Sequence, residues 1–237
     1  DHSSLSADDL RDENLRLADQ VKRLVRLESQ LHSAQEKSEA ECLLYRKLYE
    51  AGQQLGSTLE EPRILGIAAH FAVYEVGVER CLVLMCEPGG TLFRTLDHEG
   101  YFEDEDASVA TSAWLALEHP ALAPLRDRAA PVVCAPGSAD EGRDGIGRTC
   151  GMDEFVVLPL GEEGGVPLGL LVAGNRAERA EFHTRIHADS PELMALASFA
   201  NQTGTALRNV RLYQELEREK RELEKLAKMQ QAILDNA

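Results

Sequence analysis

Residues 155–176 read FVVLPLGEEGGVPLGLLVAGNR. Two apolar runs, 155–160 and 166–173, flank the turn sequence GEEGG, and this pattern predicts a β-hairpin. Upstream, RCLVLM at 80–85 and TLFRTL at 91–96 flank Pro88, Gly89 and Gly90 and predict another. Residues 59–76 carry a helical period, with Ile64, Leu65, Ala68, Phe71 and Ala72 on one face. Between the hairpins, 107–118 reads as a short helix, 131–134 as a short strand and 136–151 as a Gly- and charge-rich loop. Downstream, Asp189 or Ser190 suits a helix N-cap, Pro191 the first helical position and Glu192 the first turn. From there to Asn236 only Gly204 interrupts a helical run. The order of helix, hairpin, helix and loops, hairpin and long helix predicts an α+β domain with an antiparallel sheet.

Both ends of the chain add helical rods. Residues 8 to about 50 lack Gly and Pro, and Leu10, Leu17, Leu24 and Leu31 recur every seven residues. Asn14, Val21, Glu28, Gln35 and Cys42 occupy the alternate position, which makes a coiled-coil seam whose Asn14 favours a parallel pair in one register. An amphipathic helix packed on its own domain, using Val25, Leu27 and Leu44, is the other reading of this segment. Near the C-terminus, Leu212, Glu219, Leu226 and Ile233 form one seam position and Leu216, Leu223 and Gln230 the other. Charges of both signs flank them, such as Glu217, Lys220, Arg221 and Lys225, as on a solvated coiled coil.

Composition narrows the function classes. The formal net charge is −16, and its excess lies in the middle, where residues 51–210 hold 24 acids and 11 bases. Such a field repels phosphate backbones and argues against nucleic acid as a partner. The sequence holds no run of 18 apolar residues and no basic-then-apolar leader, so the expected location is the cytoplasm, without a membrane partner. The five cysteines, Cys42, Cys81, Cys86, Cys134 and Cys150, show no CxxC spacing, against both a disulfide framework and a zinc site. A chain opening on Asp1 is expected to be cut from something longer.

With these elements in place, FVVLPLGEEGGVPLGLLVAGNR followed by SPELMALASFANQTGTALRNVRLYQEL resembles the second half of a GAF domain. Asn175-Arg176 stands at the family's Asn-Lys-like pair, and Leu196, Ala197, Gln202, Ala206, Asn209, Leu212 and Tyr213 match its closing helix. The front half, LYEAGQQLGSTLEEPRILGIAAHFAVYEVGVERCLVLMCEPGGTL, is similar to the family's opening helices and first hairpin. The resemblance covers about residues 45–215 and implies a sheet of about six antiparallel strands, a dimerising helical face and a small-molecule pocket opposite. It divides the chain into an N-terminal coiled-coil helix (1–44), a GAF-like sensory domain (45–210) and a C-terminal signalling helix (211–237). QQAILDNA resembles the entry to a PAS or output module, so any kinase or cyclase output is expected beyond Ala237.

The resemblance implies a non-catalytic parallel homodimer that relays a pocket signal along its helices. Tyr101, Trp114, Arg143, Arg148, Asp153 and Phe155 would supply a stacking surface, anion contacts and one acceptor in the pocket. No cofactor is selected by the sequence. Covalent bilin would need a Cys-His pair, whereas Ala135 and Gly151 follow Cys134 and Cys150. Asn175, Arg176, Phe182 and Asp189 echo a cyclic-nucleotide signature with Ser190 in place of its last acid. His183 and His187 lack an evident third metal ligand, and nothing selects His98 or His119 for haem. Two alternatives stay open: a ligand-free dimeric connector, and a reductase of free methionine sulfoxide using Cys134 and Cys150 as nucleophile and resolving thiol.

Overall fold

A computed structural model of the chain describes residues 7–87, 90–102, 104–128, 130–134, 141–161 and 166–235. By internal packing it divides into two compact units, Asp1–Leu43 and Leu44–Ala237. Helix α1 (Ala7–Gly56) supplies the first unit. Its described side chains up to Leu43 are almost all exposed and are linked along the helix by pairs such as His32 with Glu36 and Gln35 with Glu39.

The second unit is built on one antiparallel sheet of six strands in the order β3-β2-β1-β6-β5-β4. The strands are β1 (Arg80–Cys86), β2 (Leu92–Glu99), β3 (Trp114–Ala116), β4 (Val132–Cys134), β5 (Glu154–Leu160) and β6 (Gly169–Asn175). Both expected hairpins are present: β1 pairs with β2 from Cys81↔Glu99 to Cys86↔Phe93, and β5 pairs with β6 from Glu154↔Asn175 to Leu160↔Gly169. β1 also pairs with β6, which places the two hairpins side by side.

Alternation sends the side chains of the central strands into two cores. Cys81, Val83, Leu171, Ala173, Val156 and Leu158 face α2 (Glu61–His70), its π-helical continuation (Phe71–Val76), the last turns of α1 and the first half of α6 (Pro191–Asp235). The expected helical face is present, with Ile64, Leu65, Ala68, Phe71 and Ala72 all buried. Leu82, Leu84, Phe93, Phe155, Val157, Leu170 and Val172 face the opposite way, against Ala110 of α3 (Asp104–Ser112), Leu125 of α4 (Ala123–Arg128) and Ile146 and Cys150 of α5 (Glu141–Cys150). Helix α6 starts where expected: Ser190 Oγ accepts a hydrogen bond from the Leu193 N–H at 3.1 Å.

Gly204, the one interruption expected in α6, is needed for a close approach. A Cβ there would overlap the backbone of Gly161, where the chain leaves β5 at φ 63°. Two local expectations are corrected. The segment 107–118 is not one helix: α3 stops at Ser112 and Trp114–Ala116 pairs with β2 through Leu92↔Ala116 and Arg94↔Trp114. The segment 136–151, read as a loop, contains α5, whose Ile146 and Cys150 are buried and whose Gly147 lies against Met152 and Phe155. Tertiary packing there overrides the weak helix propensity of three glycines in ten residues.

Candidate functional site

The sheet face covered by α3, α4 and α5 gathers some of the residues singled out from the sequence. Tyr101 is buried; its hydroxyl donates to the Cys150 carbonyl at 2.6 Å, and the Arg80 guanidinium lies 4.7 Å from its ring centroid. The His98 ring meets the Tyr101 ring edge-on at 5.8 Å. Phe155 is buried on the same face, against Gly147 of α5. Arg148, in the last turn of α5, is exposed. The Arg143 side chain lies outside the described residues.

Two others stand apart. Trp114 is 56% exposed, and its cross-strand neighbour is Arg94, whereas Leu115 and Phe93 form the adjacent pair buried beneath the helices. Cross-strand partners share a face, so Trp114 lies on the side opposite Tyr101 and Phe155. Asp153 caps a turn: its Oδ2 accepts the Ala177 N–H at 2.7 Å, while its own N–H donates to the Asn175 carbonyl at 3.0 Å.

At the end of the central strands the structure assembles a polar clasp that sequence reading saw only in part. Asn175, 1% exposed, accepts the Glu79 N–H at 2.8 Å and donates to Glu154 Oε1 at 2.6 Å and to the Thr184 carbonyl at 3.0 Å. Arg176 grips Glu79 through its backbone N–H at 2.8 Å and its guanidinium at 2.7 and 2.8 Å. Arg185 grips Glu154 at 2.9 Å, and Arg80 Nη1 donates to the Gly151 carbonyl at 2.9 Å. Burial opposes ionisation of Glu79, but the Arg176 hydrogen bonds and the charges of Arg176 and Arg80 outweigh it and hold the carboxyl below its usual range. The Asn-Lys-like pair was the only signal of this cluster, because Glu79 is 96 residues from Asn175 in sequence. Asn175 and the two carboxylates of the clasp are committed to other protein groups, which makes it a structural brace, while the buried Arg80 Nε lies 3.7 Å from Glu79 Oε1 and makes no hydrogen bond.

The thiols are poorly placed for catalysis. Cys134 and Cys150 are both buried, and burial alone pushes the Cys150 thiol up to about 12. Such a thiol is almost wholly protonated at neutral pH and a weak nucleophile. Among the described residues no three His, Cys, Asp or Glu side chains converge to hold a metal, and no helix is long and apolar enough to cross a membrane.

The helical rods complete the inventory. Leu17, Val21, Leu24 and Leu31 of α1, and Leu212, Leu216, Leu223 and Leu226 of α6, are each between 49% and 70% exposed. The side chains of Leu10 and Ile233, which extend the two seams, lie outside the described residues, while Asn14 is exposed. The last α6 residue in the core is Val210; from Leu212 to Gln230 every described side chain but that of Glu217 is exposed.

No protein-family model and no curated protein sequence matches this chain. Solved structures do. The GAF domain of a phosphoenolpyruvate-protein phosphotransferase from Coxiella burnetii aligns with a TM-score of 0.56 at 13% identity, covering 74% of this chain and 98% of that one. The GAF domain of a protein assigned as a sensor histidine kinase of Pseudomonas syringae pv. tomato aligns at 0.53 and 18% identity, covering 78% and 99%. A free methionine-R-sulfoxide reductase from Neisseria meningitidis, solved with its substrate, aligns at 0.55 and 13% identity, covering 73% and 93%. The chain therefore has the fold of a GAF domain, in agreement with the resemblance over about residues 45–215.

Proposed function

We propose that the chain is a cytoplasmic, non-catalytic sensory module of a signalling protein. Residues 45–210 receive the signal, residues 1–44 and 211–237 pair with their copies in a parallel homodimer, and the C-terminal helix passes the signal to an output domain. The observation that carries this reading is the pair of leucine seams left exposed on α1 and α6. Apolar stripes at heptad spacing on long helices are stable in water when a partner helix covers them. The likeness to the GAF domain assigned to a sensor histidine kinase supports the same role.

The input is a small molecule or a conformational change at the face of Tyr101 and Phe155, beneath α5. A ligand that binds one arrangement of the helix pair more tightly shifts the population toward it. A small rotation or register change then travels from Val210, where α6 leaves the core, along Leu212–Ile233. The likeness to the Neisseria meningitidis reductase favours a thiol reductase only at the level of fold, and the buried, protonated Cys150 stands against it.

Disulfide trapping tests the dimer. In a Cys42→Ser background, which removes the exposed cysteine of the α1 seam, Leu216→Cys and Leu223→Cys occupy seam positions and are expected to cross-link under mild oxidation. Arg221→Cys and Lys228→Cys, on the outer face of the same heptads, are expected not to. Equal cross-linking at all four positions, or at none, contradicts a parallel in-register pair.

A further inference from the structure

We propose a second ligand site, on the side of the sheet that α2 and α6 cover, for a small zwitterion that carries both an ammonium and a carboxylate, such as a free α-amino acid. It lies in a cleft of about 460 Å³ between the last turns of α1, α2 with its π-helical continuation, and Glu99 at the end of β2. That volume is in the usual range for small-molecule sites. The cleft is separate from the input face proposed at Tyr101 and Phe155, neither of which lines it.

The charges of the cleft select the ligand. Lys47 and Glu75 face each other at 2.9 Å and neutralise one another. Three charges remain, Glu50 from α1, Arg63 from α2 and Glu99 from β2; Glu99 accepts the Tyr74 hydroxyl at 3.4 Å, whereas among the described residues the side chains of Glu50 and Arg63 have no ion-pair or hydrogen-bond partner within the protein. A phosphate or simple anion would leave Glu50 without a partner and would also face Glu99, and a simple amine would leave Arg63 without one. A zwitterion satisfies Arg63 with its carboxylate and Glu50 with its ammonium in one molecule. Ile67 and Phe71 offer an apolar wall for its side chain.

The backbone adds an independent observation. Helix α2 passes into a six-residue π-helix at Phe71, and both Phe71 and Glu75 of that segment line the cleft. π-helical turns are rare and recur at functional sites.

The test is a thermal-shift screen of the 237-residue chain against the twenty free L-amino acids, followed by calorimetric titration of the best one. At least one is expected to raise Tm by roughly 5 °C or more at a hundred times its Kd. Its decarboxylated amine and its N-acetyl derivative are expected to bind at least about tenfold more weakly, each having lost one of the two charges. Arg63→Ala and Glu50→Ala, both at exposed positions, are expected to weaken binding by a similar factor, and Arg148→Ala, beyond the sheet, to leave it unchanged. Absence of any shift, equal binding of the amine or the N-acetyl derivative, or sensitivity to Arg148→Ala instead of Arg63→Ala would overturn the site. A chain that dimerises and gives none of these responses overturns this site alone and leaves the relay reading standing.

Discussion

Asn175 joins three backbone segments with one side chain, reaching the N–H of Glu79, the carboxylate of Glu154 and the carbonyl of Thr184. Removing it leaves buried groups without a partner, which costs more than the bonds themselves contribute. Asn175→Ala is expected to lower unfolding stability by about 2–4 kcal/mol in urea denaturation, with the m-value unchanged. Glu79 gives the clasp a pH dependence. Its folded pKa lies below the unfolded value of about 4.3, so its contribution is present above that pH and is lost as the pH falls through the folded value. Glu79→Gln is expected to flatten the fall in stability below about pH 5 relative to the parent chain, which acid titration monitored by circular dichroism measures. Asn175 and Arg176 were visible in the sequence through the resemblance. Their partners were not, because Glu79, Glu154 and Arg185 converge only once β1, β5 and β6 are paired.

Among the elements, the legible ones are those whose signal is local. The two hairpins show as apolar runs about turn residues, α2 shows as a helical period, and α6 shows as a long run with a capped start. Helix α5 and strand β3 were misread because nothing local favours them: α5 depends on burying Ile146 and Cys150, and β3 on the edge that β2 offers. The same distinction explains Trp114, whose face follows from strand pairing that a helical reading of 107–118 cannot supply. Gly204 shows packing overriding propensity in the other direction. Alanine at a helix interior gains up to about 1 kcal/mol over glycine, but a Cβ at this position meets the Gly161 backbone, which cannot swing aside. Gly204→Ala is therefore expected to destabilise the chain by about 1–3 kcal/mol, read from its thermal or urea unfolding midpoint. A stabilised variant would show that α6 does not approach β5 this closely.

For the whole molecule, the sequence and the structure agree on one conflict, a domain whose core ends at Val210 and a helix that continues to Asp235 with its leucines exposed. Polar residues interrupt the seam at Glu219 and Gln230, and a weaker seam is easier to switch between arrangements. Glu219→Leu is expected to tighten dimerisation roughly tenfold or more, ~1.4 kcal/mol, by burying a leucine at the seam. Sedimentation equilibrium of the two chains compares them directly, and an unchanged association constant removes Glu219 from the interface. The measurement that bears most directly on the account is native mass spectrometry of the intact chain at micromolar concentration. The account predicts a particle of two 26.1 kDa chains that dissociates when Leu216 and Leu223 are both replaced by alanine. A monomer at every concentration, or a dimer indifferent to those replacements, would contradict it.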